Sequence, residues 1–419
     1  MESLLEIFQY PWAIRALIAS SMVGVMCGVL GCFIVLRNMA MIGDALAHAI
    51  LPGIVFAFII FGYSVLGFFM GAVVAGFVTA VGITWIQQNV GTKSDAAIGI
   101  VFTAMFSIGV MAISGINREG VHLDMEDFLF GNILGISDQD LYLTGFITFY
   151  VLASIIIFYR YLFITTFQPV IAETMGVSVK TLHYFLMLLL SFAVVAALRT
   201  VGVILVVAML ITPASTALLL SNRLNKVVFI SALMGLLAAV TGLVIAIQFD
   251  TTPGPAMAVT STAFYLIAVI ASPEKGLVVR YFRKRKLRLR IQMEDTLKQA
   301  FRLQEKGQIT LDDLASRLGF GKSQLRRHLA TLKGKGWMDV QVDMISLSES
   351  GQNQAKRLVR AHRLWETYLV DKIGLSEEQI HEEAEKYEHL LTDDLLDEVD
   401  QTLGYPKIDP HGSPIPDKQ

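Results

Sequence analysis

Long apolar runs, each about as long as a bilayer is thick, repeat along the first two thirds of the chain. About 20 helical residues, each rising 1.5 Å, cross the hydrocarbon core of a membrane. The pattern predicts nine such spans, over residues 17–36, 42–62, 64–87, 96–116, 140–160, 180–199, 201–221, 227–248 and 256–273. The first part of the chain is therefore expected to be an all-α polytopic membrane domain.

Composition divides the chain into two parts. Hydrophobic residues make up 54% of the 419 positions, and the mean hydropathy of +0.57 is too high for an ordinary soluble protein. The first 273 residues carry 21 charged side chains, whereas the last 146 carry 49. We expect a membrane domain over 1–274, a basic juxtamembrane linker over 275–290, and a soluble part after it.

The loops between the spans predict the orientation of the membrane domain. Lys and Arg mark cytoplasmic loops. On one side the nine-span count places Arg37, Lys93, Arg160, Arg223, Lys226 and the run RKRKLRLR at 283–290. The N-terminus is expected outside and the soluble part in the cytoplasm. The first residues lack a basic region and a cleavage site, so no cleavable signal peptide is expected.

One carboxylate and one imidazole, Asp44 and His48, interrupt the apolar segment GDALAHAILPG at 43–53. Their spacing of four residues stacks them on one helix face, where a single cation could contact both. Ionisable residues inside a span are costly and mark candidate functional sites. An interfacial acid beside a core histidine is the alternative. Pro52 and Gly53 predict an interruption of the helix, as in many transporter helices near a site.

Two cytoplasmic segments bear on energy coupling. In FQPVIAETMGVSVKTL, at 167–182, Glu173, Gly176 and Lys180 are spaced for a brief helix and turn. This segment is either a docking helix for a motor subunit or an ordinary loop. SRLGFGKS, at 316–323, has serine where a phosphate loop needs its first glycine and follows a helical pattern. The chain is therefore expected to bind no nucleotide and to be no enzyme.

Five ordered segments carry a family resemblance: LRNMAMIGDALAHAILPGI, KSDAAIGIVF, DFLFGNILGIS, AETMGVSV and RTVGVILVVAMLITPASTALLL. Over about residues 5–274 they resemble the permease subunit of manganese, zinc and iron-chelate ABC importers. The resemblance implies a homodimeric permease that works with a cytoplasmic ATP-binding subunit and an extracytoplasmic metal-binding protein. It also implies that Asp44 and His48 contact the metal in the pathway and that Glu173 to Gly176 dock on the ATPase.

A winged helix-turn-helix is predicted over 291–350. MEDTLKQAFRLQEK predicts a helix, TLDDLASRLGFGKSQLRRHLATLKGKG predicts two helices with Thr310 as N-cap, and WMDVQVDMISLSESG predicts a hairpin. On the second helix, side chains suited to DNA are Lys322, Ser323, Gln324, Arg326, Arg327 and His328. Residues 274–419 hold 25 basic and 24 acidic residues, so a protein-interaction module is favoured over DNA binding.

The segments AHRLWETYLV and IHEEAEKYEHLL concentrate side chains of metal-ligand type. His362 and Glu366 are four residues apart on one predicted helix. A second predicted helix places four ligand types on one face, namely His381, Glu385, Glu388 and His389. Imidazoles combined with carboxylates suit manganese, iron or zinc, whereas a solvated, salt-bridged face is the alternative.

The tail from about 293 to 416 resembles the iron- and manganese-dependent metalloregulators of diphtheria toxin repressor type. HRLWE, HEEAEKYEH and GYPKIDPHGSPIP carry the resemblance, which implies a helical metal-binding and dimerisation domain over 351–419. It matches the family's ligands to Asp295, His362, Glu366, His381 and to Glu388 or His389.

Two positions of the tail bear on the choice and number of ions. Glu385 stands where iron-type members have cysteine, and a carboxylate in place of a thiolate favours manganese. Lys298 departs from manganese-type members, which tend to place another acid there. This departure argues against a full two-metal centre.

The sequence thus predicts a multi-pass permease of the bacterial plasma membrane that imports a divalent transition metal ion, with manganese favoured. Its cytoplasmic tail is expected to sense the same metal. Two alternatives are a zinc or iron permease with an inert tail and a membrane-tethered, metal-dependent DNA-binding regulator.

Overall fold

The computed structural model describes residues 10–418 except 63, 117–130, 132, 305–306, 342–343, 377–379, 381–383 and 386. The chain forms two compact units, Met1–Arg280 and Tyr281–Gln419. Among the predicted ligands, His381 lies outside the described residues.

The described part of the first unit is helical. Its helices are α1 (Pro11–Leu36), α2 (Ala40–Ala49), α3 (Leu51–Phe61), α4 (Val65–Asn89), α5 (Ser94–Ile116), α6 (Asp138–Phe167), α7 (Pro169–Thr174), α8 (Val179–Val201), α9 (Val203–Leu220), α10 (Leu224–Gln248) and α11 (Pro253–Ala271). With α2 and α3 taken together, eight of the described helices are long and apolar enough to cross a membrane. The predicted span over 201–221 is the shorter helix α9, which Gly202, at φ +78°, separates from α8.

The predicted interruption near Pro52 is confirmed, and it falls at Ile50 between α2 and α3. Proline has no N–H and its ring clashes with the carbonyl four residues earlier, which here is the carbonyl of His48. The Ile50 N–H still donates to the Leu46 carbonyl over 3.2 Å, as the C-cap of α2. The chain therefore changes from one helix to the next directly after the Asp44 and His48 pair.

Small residues bring α1 close to α9 and α10. Ser231 Oγ donates to the Gly28 carbonyl oxygen over 2.7 Å, and a Cβ added at Gly31 would lie 1.9 Å from the Leu210 carbonyl oxygen. Lipid tails are as apolar as the side chains, so membrane helices associate through close packing of this kind. The centre of the first unit is held together by backbone approach as well as by apolar side chains.

Substituting Gly31 with alanine is expected to destabilise the first unit by about 1–3 kcal/mol or more, because backbone must move to admit the new methyl group. Gly99→Ala is the matched control, since a Cβ at Gly99 would have no neighbour within 4 Å. Removing a helical glycine there is neutral or stabilising by up to about 1 kcal/mol. Thermal unfolding of the detergent-solubilised chain checks the pair, and equal melting temperatures would contradict the packing argument.

The second unit begins within α12 (Leu277–Gln304) and contains the predicted winged helix. The remaining elements of this winged helix are β1 (Ile309–Thr310), α13 (Leu311–Leu318), α14 (Lys322–Gly334), β2 (Met338–Gln341) and β3 (Met344–Leu347). The strands form an antiparallel sheet in the order β1-β3-β2, with Ile345 of β3 opposite both Ile309 and Val340. The hairpin was predicted from the sequence, whereas the two-residue strand β1 was not.

Local capping explains where α13 begins and ends. Thr310 Oγ1 accepts a hydrogen bond from the Asp313 N–H over 3.2 Å, as predicted for an N-cap. Gly319 ends the helix in the left-handed conformation at φ +64°. The turn before α14 follows from this glycine.

The last part of the second unit is helical. It contains α15 (Glu349–Tyr368), a π-helical turn at Leu369–Ile373 and α16 (Asp393–Thr402). Ala361 and Leu364 of α15 are fully buried in a small core that includes Leu396 and Val399 of α16. Position 362 on α15 therefore lies inside the unit rather than on a solvated face.

Candidate metal sites

Asp44 and His48 lie on one face of α2, as their spacing predicts. His48 Nε2 is 3.8 Å from Asp44 Oδ1, and the side chains retain 25% and 44% of their exposure, respectively. Both side chains can thus be reached from outside the packed core. One carboxylate oxygen and one imidazole nitrogen at this separation could contact a single ion together.

Aromatic rings of α5 hold the His48 imidazole on its other side. The ring centroids of Phe102 and Phe106 are 5.7 and 5.8 Å from that of His48. The two phenylalanines also contact each other, with centroids 6.0 Å apart. The imidazole is therefore positioned by packing, while its Nε2 faces the carboxylate.

The predicted helix and turn at Glu173 and Gly176 are confirmed as local structure. Helix α7 ends with the Gly176 N–H bonded to the Glu173 carbonyl and the Val177 N–H bonded to the Ala172 carbonyl, and Gly176 has φ +79°. This is the Schellman arrangement, which favours glycine at that position. Apolar side chains nevertheless stay exposed on this short segment, namely Val170, Ile171 and Met175.

The tail brings Asp295 of α12 together with Glu388 and His389, which are more than 90 positions away. Ligand atoms of these three residues lie within 4.8 Å of one another. His389 Nε2 is 3.2 Å from Asp295 Oδ1 and 3.4 Å from Glu388 Oε1. Among the described residues, these three form a compact set of two carboxylates and one imidazole.

Glu294 orients His389, and the sequence argument missed it. Glu294 is 4% exposed, and its Oε2 lies 2.7 Å from His389 Nδ1, while its Oε1 accepts a hydrogen bond from Arg290 over 2.8 Å. A carboxylate on one imidazole nitrogen fixes the ring so that the other nitrogen can bind a metal. In the sequence, Glu294 could have been noticed as an acid that is next to Asp295 and one helical turn after Arg290.

A second group of buried side chains meets at the other oxygen of Glu388. His362 Nδ1 is 2.5 Å from Glu388 Oε2, and His362 Nε2 is 3.1 Å from Glu366 Oε1. Lys298, which is 1% exposed, donates to Glu388 Oε1 over 2.5 Å. The structure thus brings His362, Glu366 and Glu388 together, whereas Glu385 is exposed on a helical turn.

Neighbouring charges in this cluster shift the pKa values of its buried side chains. Burial alone would lower the pKa of His389, but hydrogen bonds with Asp295 and Glu294 raise it to about 9. The pKa of His362 is also raised, because Glu366 and Glu388 outweigh its burial. Burial would raise the pKa of Glu388, yet His362 and Lys298 lower it below its usual value.

The predicted DNA-facing side chains of α14 are only partly available. Lys322, Ser323, Arg326 and Arg327 are exposed and Gln324 is half-buried. Lys322 Nζ forms an ion pair with Asp312 Oδ1 over 2.6 Å. The prediction for His328 was wrong: it is 7% exposed, and its ring packs edge-on against Phe320.

Comparison with known proteins decides the family of the membrane part. The ABC 3 transport family model matches residues 9–272. The chain belongs to this family. A second model, the iron dependent repressor metal binding and dimerisation domain, matches residues 348–417. This ABC 3 permease is therefore a multi-pass membrane protein that carries a cytoplasmic repressor-like domain at its C-terminal end.

Several relatives of this permease have names that refer to manganese. The manganese transport system membrane protein MntC of Halalkalibacterium halodurans is 45% identical over 66% of this chain and 93% of the relative. The manganese import system permease protein ScaB of Streptococcus parasanguinis is 41% identical over 64% of this chain and 93% of the relative. The structure of PsaBC from Streptococcus pneumoniae in complex with Fab matches with TM-score 0.60 and 38% identity, covering 67% of this chain and 98% of that chain.

The donor atoms of the tail cluster fit a divalent transition metal ion. Asp295 and Glu388 supply oxygen, and His389 supplies an imidazole nitrogen whose ring Glu294 already orients. Manganese, iron and zinc all accept these donors. Such an ion would be held between α12 and the segment at 388–389.

Proposed function

We propose that this ABC 3 permease carries a divalent transition metal ion, with manganese favoured over zinc and iron. The observation that carries the proposal is the Asp44 and His48 pair, 3.8 Å apart and directly before the helix break at Ile50. A pathway site must bind its ion and also release it, and two protein ligands completed by water suit that need. The manganese named in the relatives' descriptions supports the choice of ion.

ATP hydrolysis and metal capture are assigned to partners in this proposal. The exposed apolar side chains of α7 and the turn at Gly176 offer a small docking surface for a cytoplasmic ATP-binding subunit. Capture outside the cell is assigned to an extracytoplasmic metal-binding protein, and a second permease copy completes the pathway. The PsaBC match is in keeping with a permease that works within a complex.

The tail is proposed to sense the imported metal. Asp295, Glu388 and His389 would hold the ion. Because Asp295 lies on α12 and the other two lie in a distant segment of the second unit, a bound ion would link these two parts of the tail. Metal binding would reorder the tail and change how α7 or the ATPase engages. The ion thereby limits its own import when the internal concentration is high.

Uptake measured at controlled internal manganese tests both parts of the proposal. Cells without their own manganese importers express the chain and its partners from a constitutive promoter, and initial uptake of labelled manganese is followed after metal loading. Cells with the wild-type chain are expected to take up manganese, and their initial uptake rate is expected to fall as internal metal rises. His389→Ala is expected to keep the rate of unloaded cells, because the ion loses its imidazole ligand.

Arg326→Ala on the exposed face of α14 is the matched control, and it is expected to slow as wild type does. Uptake of zinc or ferrous iron in place of manganese would reassign the cargo. Equal slowing of wild type and His389→Ala would refute the sensing role and leave the transport role standing. Loss of slowing in Arg326→Ala alone would favour a nucleic-acid function for the tail.

A further inference from the structure

A buried lysine and the proposed tail ion depend on the same carboxylate oxygen. The side chain of Lys298 is 2% exposed and that of Glu388 is fully buried, and Lys298 Nζ donates to Glu388 Oε1 over 2.5 Å. The same Oε1 lies 3.4 Å from His389 Nε2, on the side of Glu388 where the ion is proposed to bind. A buried ammonium is costly unless a carboxylate pairs with it. Glu388 Oε1 is therefore the partner of an internal cation.

Lys298 also lies beside the second carboxylate of that site. Asp295 and Lys298 are three positions apart on α12, and residues at this spacing are neighbours on a helix surface. Asp295 Oδ1 is 3.2 Å from His389 Nε2. An ion held by Asp295, Glu388 and His389 would therefore lie next to the ammonium of Lys298.

The ammonium and such an ion cannot both stay on Glu388 Oε1 without a large cost. An ammonium has three donors and no lone pair, so Lys298 cannot become a metal ligand. Zinc, for example, binds a carboxylate oxygen at about 2.0–2.2 Å, which would leave it within about 5 Å of Lys298 Nζ if the ammonium stayed in place. Positive charges this close repel strongly where water is largely excluded. One of the two cations has to leave this oxygen.

We propose that Lys298 is a tethered competitor of the metal, so that a divalent ion binds the tail by displacing the lysine ammonium from Glu388 Oε1. This inference rests on the proposed sensing function and specifies how the sensing site is regulated. The ammonium keeps its proton and its charge throughout the exchange. The ion replaces it because the ion also gains Asp295 and His389 as ligands and carries twice the charge.

Competition of this kind sets the metal concentration to which the tail responds. When only a fraction of the protein is competent to bind, the apparent affinity for the ligand is reduced by that fraction. A tail in which Lys298 holds Glu388 Oε1 cannot offer that oxygen to the ion. Import is therefore expected to slow at a higher internal metal concentration than the three ligands alone would give.

The midpoint of a manganese titration tests the competition on the purified full-length chain in detergent. Hydrogen–deuterium exchange is followed in the peptides that contain Glu388 and His389, so that the signal reports the tail rather than the membrane unit. Lys298→Met removes the charge and is expected to lower the midpoint at least about tenfold, because the competing cation is gone. Lys333→Met is the matched control, since Lys333 forms an exposed ion pair with Asp339 over 3.0 Å in the same unit. Its midpoint is expected to stay within about twofold of wild type.

Amine labelling of the wild-type chain shows whether the lysine moves. Removing a positive charge would tighten metal binding even if Lys298 stayed in place, so its position is measured directly. The chain is treated with acetic anhydride in chelator or in saturating manganese, and acetylation is quantified by mass spectrometry. Lys298 is expected to be protected in chelator and labelled in manganese. Lys333, whose side chain is 56% exposed, is the internal reference and is expected to be labelled equally in both.

Protection of Lys298 when manganese is bound, or equal midpoints in wild type and Lys298→Met, would overturn the exchange while leaving metal sensing intact. Tail peptides that do not respond to manganese in any variant would overturn the sensing function, and the exchange with it. If Lys298→Met does not fold, Lys298→Gln replaces it, because its amide removes the charge and still offers a hydrogen bond to Glu388. A lower midpoint in Lys298→Gln supports the inference, and an unchanged midpoint overturns it.

Discussion

Alanine at Asp44 or at His48 is expected to reduce initial manganese uptake by at least about 10–100-fold, the range found even for partners that only orient a metal ligand. In the proposed pathway the pair would supply one oxygen and one nitrogen to the ion, and the next residues begin a new helix. An ion that gives up part of its water at this site needs those ligands to offset its lost hydration. Removing either one raises the barrier to entry rather than weakening the fold.

Two controls separate this effect from misfolding. Asp95→Asn alters an exposed acid in the first turn of α5, and His183→Gln alters another helix-borne histidine, whose Nε2 lies 3.2 Å from Thr84 Oγ1. Both are expected to keep uptake within about twofold of wild type, because neither side chain joins the pair. Uptake is normalised to the amount of permease in the membrane. Full uptake in either alanine variant would contradict a pathway role for the pair.

Short-range features were accessible from the sequence because a helix fixes the distance between nearby positions. The four-residue spacing of Asp44 and His48 already placed them on one face, and Pro52 already indicated the break. Hydrophobic length likewise predicted eight long spans. The ninth predicted span, over 201–221, is the shorter α9, because Gly202, at φ +78°, separates it from α8 and the helix begins only at Val203.

Long-range contacts in the tail could not be predicted in the same way. Asp295 and His389 are 94 positions apart, and only the fold of the second unit brings them within 3.2 Å. The resemblance supplied Asp295 as a ligand but gave no role to Glu294, because orientation of an imidazole depends on geometry. Lys298 was noted as a departure, yet its burial against Glu388 required the structure.

Replacing Lys298 with methionine is expected to destabilise the metal-free second unit by about 3–5 kcal/mol, because breaking a buried ion pair leaves the carboxylate of Glu388 without its cation. Glu388→Gln is expected to cost a similar amount by leaving the ammonium uncompensated. The double variant removes both charges, and replacing a buried pair with neutral groups is often close to neutral. Its cost should therefore be well below the sum of the two single costs.

Hydrogen–deuterium exchange of tail peptides in the full-length chain, with a chelator present, measures these costs without separating the units. Lys333→Met is the control, since exposed ion pairs contribute only about 0–1 kcal/mol. Strict additivity of the two single variants would mean that Lys298 and Glu388 contribute independently. A coupling of several kcal/mol would instead establish that Lys298 and Glu388 act as one buried ion pair within this cluster of acids and histidines, because only a directly paired charge responds to the loss of its partner in this way.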